Sequence, residues 1–267
     1  MTFDRRLLSV FSCLMYLFAV ELLFAGDGPN APSIELAPGK ETRVDSNNKD
    51  IGGGFFLVYV PSDYNGLQNW PVIFFYNGAG CQPSTELFRI NTDGKGFVII
   101  AMEYVPQTRD KMTQAQYLNS LRSEIKSIAA AKAYVSKHLR IDSDKMFIAG
   151  ISRGGWLVSS LFEFKPSAWA GTAIFCAGRN NIVTDTPKSL LYNKAVYIGS
   201  GEKDQNLNAA KKAAGVYERL GANMTFEMYK GLGHAADPNS QKLHDWLLEN
   251  SSKIANKKKP TAQTSEK

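Results

Sequence analysis

From residue 55 onward, short continuous apolar runs alternate with longer segments whose apolar residues recur every three or four positions. No other feature restricts the fold as much. The runs are Phe55 to Val60, Val72 to Tyr76, Phe97 to Met102, Met146 to Ala149, Ala173 to Phe175 and Ala195 to Ile198. Apolar runs without polar alternation suit strands buried on both faces. Between them, Leu118, Leu121, Ile125, Ile128, Val135 and Leu139 share one helical face. Ala210, Ala213, Val216 and Tyr217 mark a second helix, which stops at Gly221. Met224 to Tyr229 alternates as a further strand. Asp237 reads as the N-cap of a last helix with Pro238 at its first position, packing through Leu243, Trp246 and Leu247. Strands alternating with helices imply an α/β fold, a mostly parallel central sheet with helices on both faces. In such sheets functional residues gather just past the carboxyl ends of the strands.

The ends of the chain differ from this body. Arg5 and Arg6 precede an apolar run from Leu7 to Ala25, interrupted by Glu21. A basic start, an apolar stretch and a small residue read as a secretory signal peptide over residues 1–25. The run is also long enough for an uncleaved membrane anchor. The first reading implies a secreted or periplasmic protein, the second a membrane-anchored one. Residues 26–50, with three prolines, form an irregular lead-in or edge strand, residues 51–250 the folded body, and residues 251–267 a basic disordered tail. The tail holds five lysines against Glu266, four of the chain's net +6. The body is then nearly neutral, which argues against a nucleic-acid partner. Beyond the signal, Cys81 and Cys176 remain, either one disulfide or two buried thiols.

The chemistry lies in Gly150-Ile151-Ser152-Arg153-Gly154. The G-x-S-x-G pattern is weak alone, but here it follows a strand and opens an apolar helix. On such a tight turn the serine hydroxyl is exposed, and the helix N-terminus directs N–H groups at a developing oxyanion. A serine needs a base. His138 and His244 fall in helices and read as solvated. His234 follows the strand ending at Tyr229 through Gly231-Leu232-Gly233 and is the candidate base. The acid should fall between serine and histidine. Asp204, just past the strand Ala195 to Ile198, is the choice over Glu202 and Asp185, its competing role being an N-cap for the next helix. Arg153 N–H is one candidate oxyanion donor. The other comes from Asn77-Gly78-Ala79-Gly80, with Ala79 preferred and Gly78 the alternative. Tyr104 and Trp156 either line an acyl pocket or pack in the core. No cluster with ligand spacing argues for a metal, and no cofactor is expected.

Ile141 to Gly155 and the pair Phe56 to Pro61 and Val72 to Gly78 resemble the polyhydroxybutyrate depolymerase and feruloyl esterase group. Dienelactone hydrolases and prolyl-oligopeptidase-like esterases are similar. The resemblance implies the α/β-hydrolase fold and an exported serine hydrolase cleaving carboxylic esters, polymeric ones included, through Ser152, His234 and Asp204. Where the group has a histidine before the oxyanion glycine, this chain has Asn77. A peptidase or thioesterase with the same triad, or a non-catalytic binding module, are the alternatives. The connection from Phe175 to Ala195 is too short for a large helical lid, so an open site is expected.

Overall fold

A computed structural model describes residues 35–45, 54–105, 112–180 and 188–253. The N-terminal apolar segment, the tail from 254 onward and Asp185 lie outside the described residues. The described elements fall within residues 36–267. Among the described residues no helix is long and apolar enough to cross a membrane.

Eight strands form one sheet: β1 (Glu41–Asp45), β2 (Phe55–Tyr59), β3 (Trp70–Tyr76), β4 (Val98–Met102), β5 (Ile141–Ile151), β6 (Gly171–Phe175), β7 (Ala195–Gly201) and β8 (Asn223–Tyr229). Their order is β1-β2-β4-β3-β5-β6-β7-β8. The β1–β2 and β2–β4 pairs are antiparallel, and every later pair is parallel. The lead-in therefore supplies an edge strand, with the Arg43 guanidinium 3.5 Å over the Phe55 ring.

Among the described residues six α-helices lie between or after the strands: α1 (Glu86–Asn91), α2 (Gln114–His138), α3 (Arg153–Phe164), α4 (Lys188–Leu191), α5 (Leu207–Arg219) and α6 (Gln241–Lys253). A capping box starts α2. Thr113 Oγ1 accepts from Gln116 N–H, and the Gln116 side chain accepts from Thr113 N–H at 2.8 Å. On one sheet face Ile73, Phe75, Phe147, Ala149, Phe175 and Tyr197 pack with Phe88 of α1 and Leu243, Trp246 and Leu247 of α6. Edge-on ring contacts join Phe75 to Phe88 at 5.4 Å and Phe147 to Trp246 at 5.7 Å. On the other face α2 buries Leu121, Ile128, Ala131 and Val135. The two-residue alternation of each strand feeds both layers, which is why the central runs contain no polar gaps.

Three expectations need correction. β5 runs five residues earlier than its apolar part, because Ile141 still pairs with Trp70 although Ser143 and Asp144 are exposed and Asp142 and Lys145 only half-buried. Asp237 does not cap the last helix. Its side chain closes a turn on Asn239 N–H, and Ser240 Oγ instead accepts from Leu243 N–H at 3.0 Å, so α6 begins at Gln241. His138 is exposed as expected, but His244 is half-buried, its Nδ1 2.8 Å from the Asn91 carbonyl, tying α6 to α1.

Candidate active site

Ser152 sits between β5 and α3 with φ 56° and ψ −119°. Left-handed φ at a non-glycine residue costs on the order of 1–3 kcal/mol and persists only where the surroundings enforce it. Here they do. Ser152 N–H donates to the Phe175 carbonyl at 2.9 Å, anchoring the turn on β6. Gly150 and Gly154 cross so closely that a Cβ on Gly150 would strike the Gly154 carbonyl. A Cβ on Gly154 would lie 2.7 Å from the Asn77 carbonyl oxygen. The glycines let α3 start directly against β5 and β3.

Four loops converge at the same sheet edge. Asp204 follows β7 and is 6% exposed. Its Oδ1 stands 2.8 Å from His234 Nδ1 and accepts from Asn206 N–H at 2.9 Å, while Oδ2 accepts from Ser200 Oγ at 2.9 Å. Burial pushes the Asp204 carboxyl pKa up. The hydrogen bonds from Asn206, His234, Cys176 and Ser200 outweigh it and hold the group below its ordinary value. Asp204 thus closes a turn on Asn206 and faces the histidine; the N-cap of α5 is Asn206, so Asp204 does not take the capping role weighed for it.

The histidine loop rests on the acid loop. Lys203 N–H donates to the Leu232 carbonyl at 2.8 Å, and Gly231 N–H donates to Glu202 Oε2 at 2.8 Å. Glu202 therefore braces the loop, and among the described hydrogen bonds and ion pairs none joins it to His234. A Cβ on Gly201 would meet the Leu232 and Gly233 carbonyls, so only glycine allows this approach. The His234 ring keeps 37% of its side chain exposed at the mouth of the site. Among the described hydrogen bonds none joins Ser152 Oγ to His234. Such contacts commonly tighten only with substrate in place.

Gly78 lies beside the serine, where an added Cβ would stand 3.6 Å from Ser152 Cβ. Its N–H is taken by Asn77 Oδ1 at 3.1 Å. Among the described backbone bonds none uses Ala79 N–H. Arg153 N–H opens α3, where the first amides have no acceptor within the helix. Asn77 holds the loop through a 2.8 Å bond from its Nδ2 to the Gln82 carbonyl. That fixed amide occupies the position where the resembling group carries histidine.

Neither Tyr104 nor Trp156 is among the residues lining the cavity beside His234. Tyr104 OH donates to the Asn77 carbonyl, and the Arg153 guanidinium lies 4.4 Å over its ring. Trp156 faces a recess between α3 and α5. Next to His234 is a different cavity of about 340 Å3, walled by Phe75, Leu87, Ile90, Ile151, Ala236 and Pro238. It is mostly apolar and open to solvent.

Two supporting residues escaped the sequence reading. Cys176, at φ 50°, is fully buried and donates to Asp204, and burial first, then that carboxylate, pushes its thiol up to about 12. Cys176, Asp204 and His234 have donor atoms within 4.8 Å. A metal would need the thiolate, whereas this thiol is held protonated as a hydrogen-bond donor, so the set fits an acid–base pair better than a metal centre. Cys81 is exposed, and neither cysteine is in a disulfide, which excludes both the bridge and the pair of buried thiols. Glu124 of α2 is the second residue. It is fully buried, accepting from Tyr76 OH at 2.9 Å and Val105 N–H at 3.0 Å directly beneath the Asn77 loop. Its signal was a charge three residues past Leu121 and four before Ile128, inside the apolar stripe.

Residues 110–219 match the prolyl oligopeptidase family. An acetylxylan esterase of Coprinopsis cinerea is 24% identical over 165 residues, 57% of this chain and 44% of that protein. The chain thus spans less than half the length of this relative. A ferulic acid esterase from the anaerobic fungus Anaeromyces mucronatus superposes with a TM-score of 0.57 at 14% identity, covering 83% of this chain and 92% of the other. An S-formylglutathione hydrolase from Agrobacterium tumefaciens gives 0.57 at 17% identity, covering 84% and 99%. Sheet order, the strand–serine–helix turn and these likenesses agree, and the chain has the α/β-hydrolase fold.

Proposed function

We propose that the protein is a serine hydrolase that cleaves carboxylic esters, with Ser152 as nucleophile, His234 as base and Asp204 as the acid that orients it. The 2.8 Å contact between Asp204 and His234 Nδ1, at the sheet edge that also carries the Ser152 turn, supports this reading most. Asp204 accepts the Nδ1 proton, which leaves Nε2 as the acceptor face of the ring. His234 then takes the Ser152 proton while Oγ attacks the ester carbonyl carbon. The tetrahedral oxyanion is held by Arg153 N–H and Ala79 N–H, with Gly78 N–H available only if it leaves Asn77. Collapse expels the alcohol, which takes its proton from His234. Water, deprotonated by the same ring, releases the acid and restores Ser152.

The acetylxylan esterase and ferulic acid esterase likenesses favour acyl groups carried on a polysaccharide. The exposed histidine and open apolar cavity suit an acyl group projecting from a polymer. The basic and apolar N-terminal segment supports export to where such polymers lie. The family match favours a second reading, cleavage of peptide bonds by the same three residues.

A fluorophosphonate probe should label the protein and fail on Ser152→Ala. Turnover of p-nitrophenyl acetate, and acetate or ferulate release from plant-type polysaccharide, should exceed turnover of an X-Pro anilide. Equal probe labelling of both proteins would remove Ser152 as nucleophile. Anilide cleavage without ester cleavage would favour the peptidase.

A further inference from the structure

On the flank of the elbow helix, between α3 and α5, lies a recess of about 500 Å3 lined by Trp156, Arg179, Lys212, Val216 and Arg219, with Lys211 at its edge. Its lining includes neither Ser152 nor His234, so it is distinct from the cavity beside the triad. The volume lies within the about 300–1,000 Å3 common for small-molecule sites. Three features make it more than a surface dent.

The first is charge. Arg179 is held in one orientation by two bonds to the buried Glu163 carboxylate, at 2.7 and 2.8 Å, and Glu163 in turn accepts from Tyr217 OH at 2.8 Å. That pair is balanced. Lys211, Lys212 and Arg219 are additional cations and have no ion pair among the described residues. Lys212 and Arg219 are seven residues apart and so share a helical face with Ala209 and Val216, likewise seven apart. The body of the chain is otherwise nearly neutral, so this concentration of positive charge is local.

The second is shape. Gly215 stands inside α5, where glycine costs about 1 kcal/mol relative to alanine. A Cβ there would meet only the flexible end of Arg219, with Nη1 3.4 Å away. Gly178 acts differently, since a Cβ there would lie 2.8 Å from the Trp156 ring, so the missing side chain lets the indole that lines the recess pack in place.

The third is composition. One indole and three small apolar side chains, Ala209, Ala213 and Val216, line the recess together with the cations. This matches a ligand with an apolar ring face and an anionic group. A pyranose ring stacks on an indole through its C–H face, and a carboxylate pairs with guanidinium or ammonium.

We propose that this recess binds a uronic acid residue of an anionic polysaccharide. Lys212 and Arg219 would take the carboxylate and Trp156 the sugar face. The sugar part rests on the polysaccharide reading above, whereas the anion part rests on the recess alone. A bound branch here would hold a polymer against the α3 flank while its ester groups reach Ser152.

The test compares three probes by calorimetric titration of the full chain. They are a xylo-oligosaccharide carrying one glucuronic acid branch, the same oligosaccharide without the branch, and inorganic phosphate. The branched probe should bind at least tenfold tighter than either other, and more weakly as salt rises. Lys212→Gln with Arg219→Gln should remove that preference, and Trp156→Phe should weaken it. The Lys212→Gln and Arg219→Gln variant should retain p-nitrophenyl acetate turnover. Equal affinity for branched and unbranched probes overturns the proposal, as does phosphate binding as tightly as the branched sugar. Absent ester turnover in the parent protein, with its branched-sugar preference intact, would instead remove the esterase reading and leave this site standing.

Discussion

Asp204 shows how one side chain is fixed by its surroundings. It is buried, yet four donors keep its carboxyl pKa below the ordinary value, so it stays ionised opposite His234. Asp204→Asn should lower kcat on p-nitrophenyl acetate by roughly 10³–10⁴, because an amide no longer selects the tautomer with Nδ1–H. Glu202→Gln should leave kcat within a few-fold, since Glu202 only braces Gly231. The reverse ranking would exchange their roles. The two cysteines also differ by environment. Cys81 is exposed, and Cys176 is buried with its thiol pushed up to about 12. A thiol reagent should label Cys81 in the native protein, as read by peptide mapping, and reach Cys176 only after unfolding. At this scale the triad candidates were legible, because chain order and strand ends restrict each one. Cys176 and Ser200 were not, because their roles depend on β6 and β7 lying side by side.

Elements joined by close backbone crossings tolerate little change at those points. Gly154 lets α3 pass over the end of β3, and a Cβ there would lie 2.8 Å from the Tyr76 carbonyl carbon. Gly154→Ala should cost about 1–3 kcal/mol in urea denaturation and reduce turnover, because α3 must lift away together with Arg153 N–H. Gly78→Ala is the contrast. Its Cβ would make an ordinary 3.6 Å contact with Ser152 Cβ, so stability should stay near that of the parent. The alternation of buried strands and amphipathic helices was legible, since continuous apolar runs have few other uses. Where elements begin was less so. Polar Asp142 to Lys145 extend β5 because their backbone belongs to the sheet whatever their side chains do. Asp237 carries a good capping side chain but spends it on a local turn, leaving Ser240 to start α6.

Glu124 links three separate parts of the molecule: α2, the end of β3 at Tyr76, and the chain after β4 at Val105. Its effect therefore belongs to the stability of the whole. Burial raises its pKa from the ordinary 4.5 to about 7, against the hydrogen bonds from Tyr76 and Val105 and the charge of Arg153. Below about pH 4.5 the carboxyl is protonated in both folded and unfolded chains. Between that value and about 7 the folded chain keeps a proton that the unfolded chain releases. Folding stability from this group is thus full in acid and falls as pH rises through about 7. Glu124→Gln resembles the protonated acid, its oxygen accepting from Val105 and its amide meeting the Tyr76 hydroxyl. The variant should gain on the parent between pH 5 and pH 8, by up to about 3 kcal/mol. Urea denaturation at the two pH values reads this directly. If the two proteins keep a constant gap, Glu124 does not titrate in that range. Since Tyr76 leads straight into the Asn77 loop, the ester turnover of the parent should change across the same interval more than that of Glu124→Gln. A stability gap that moves without any such difference in turnover would assign Glu124 to the scaffold alone.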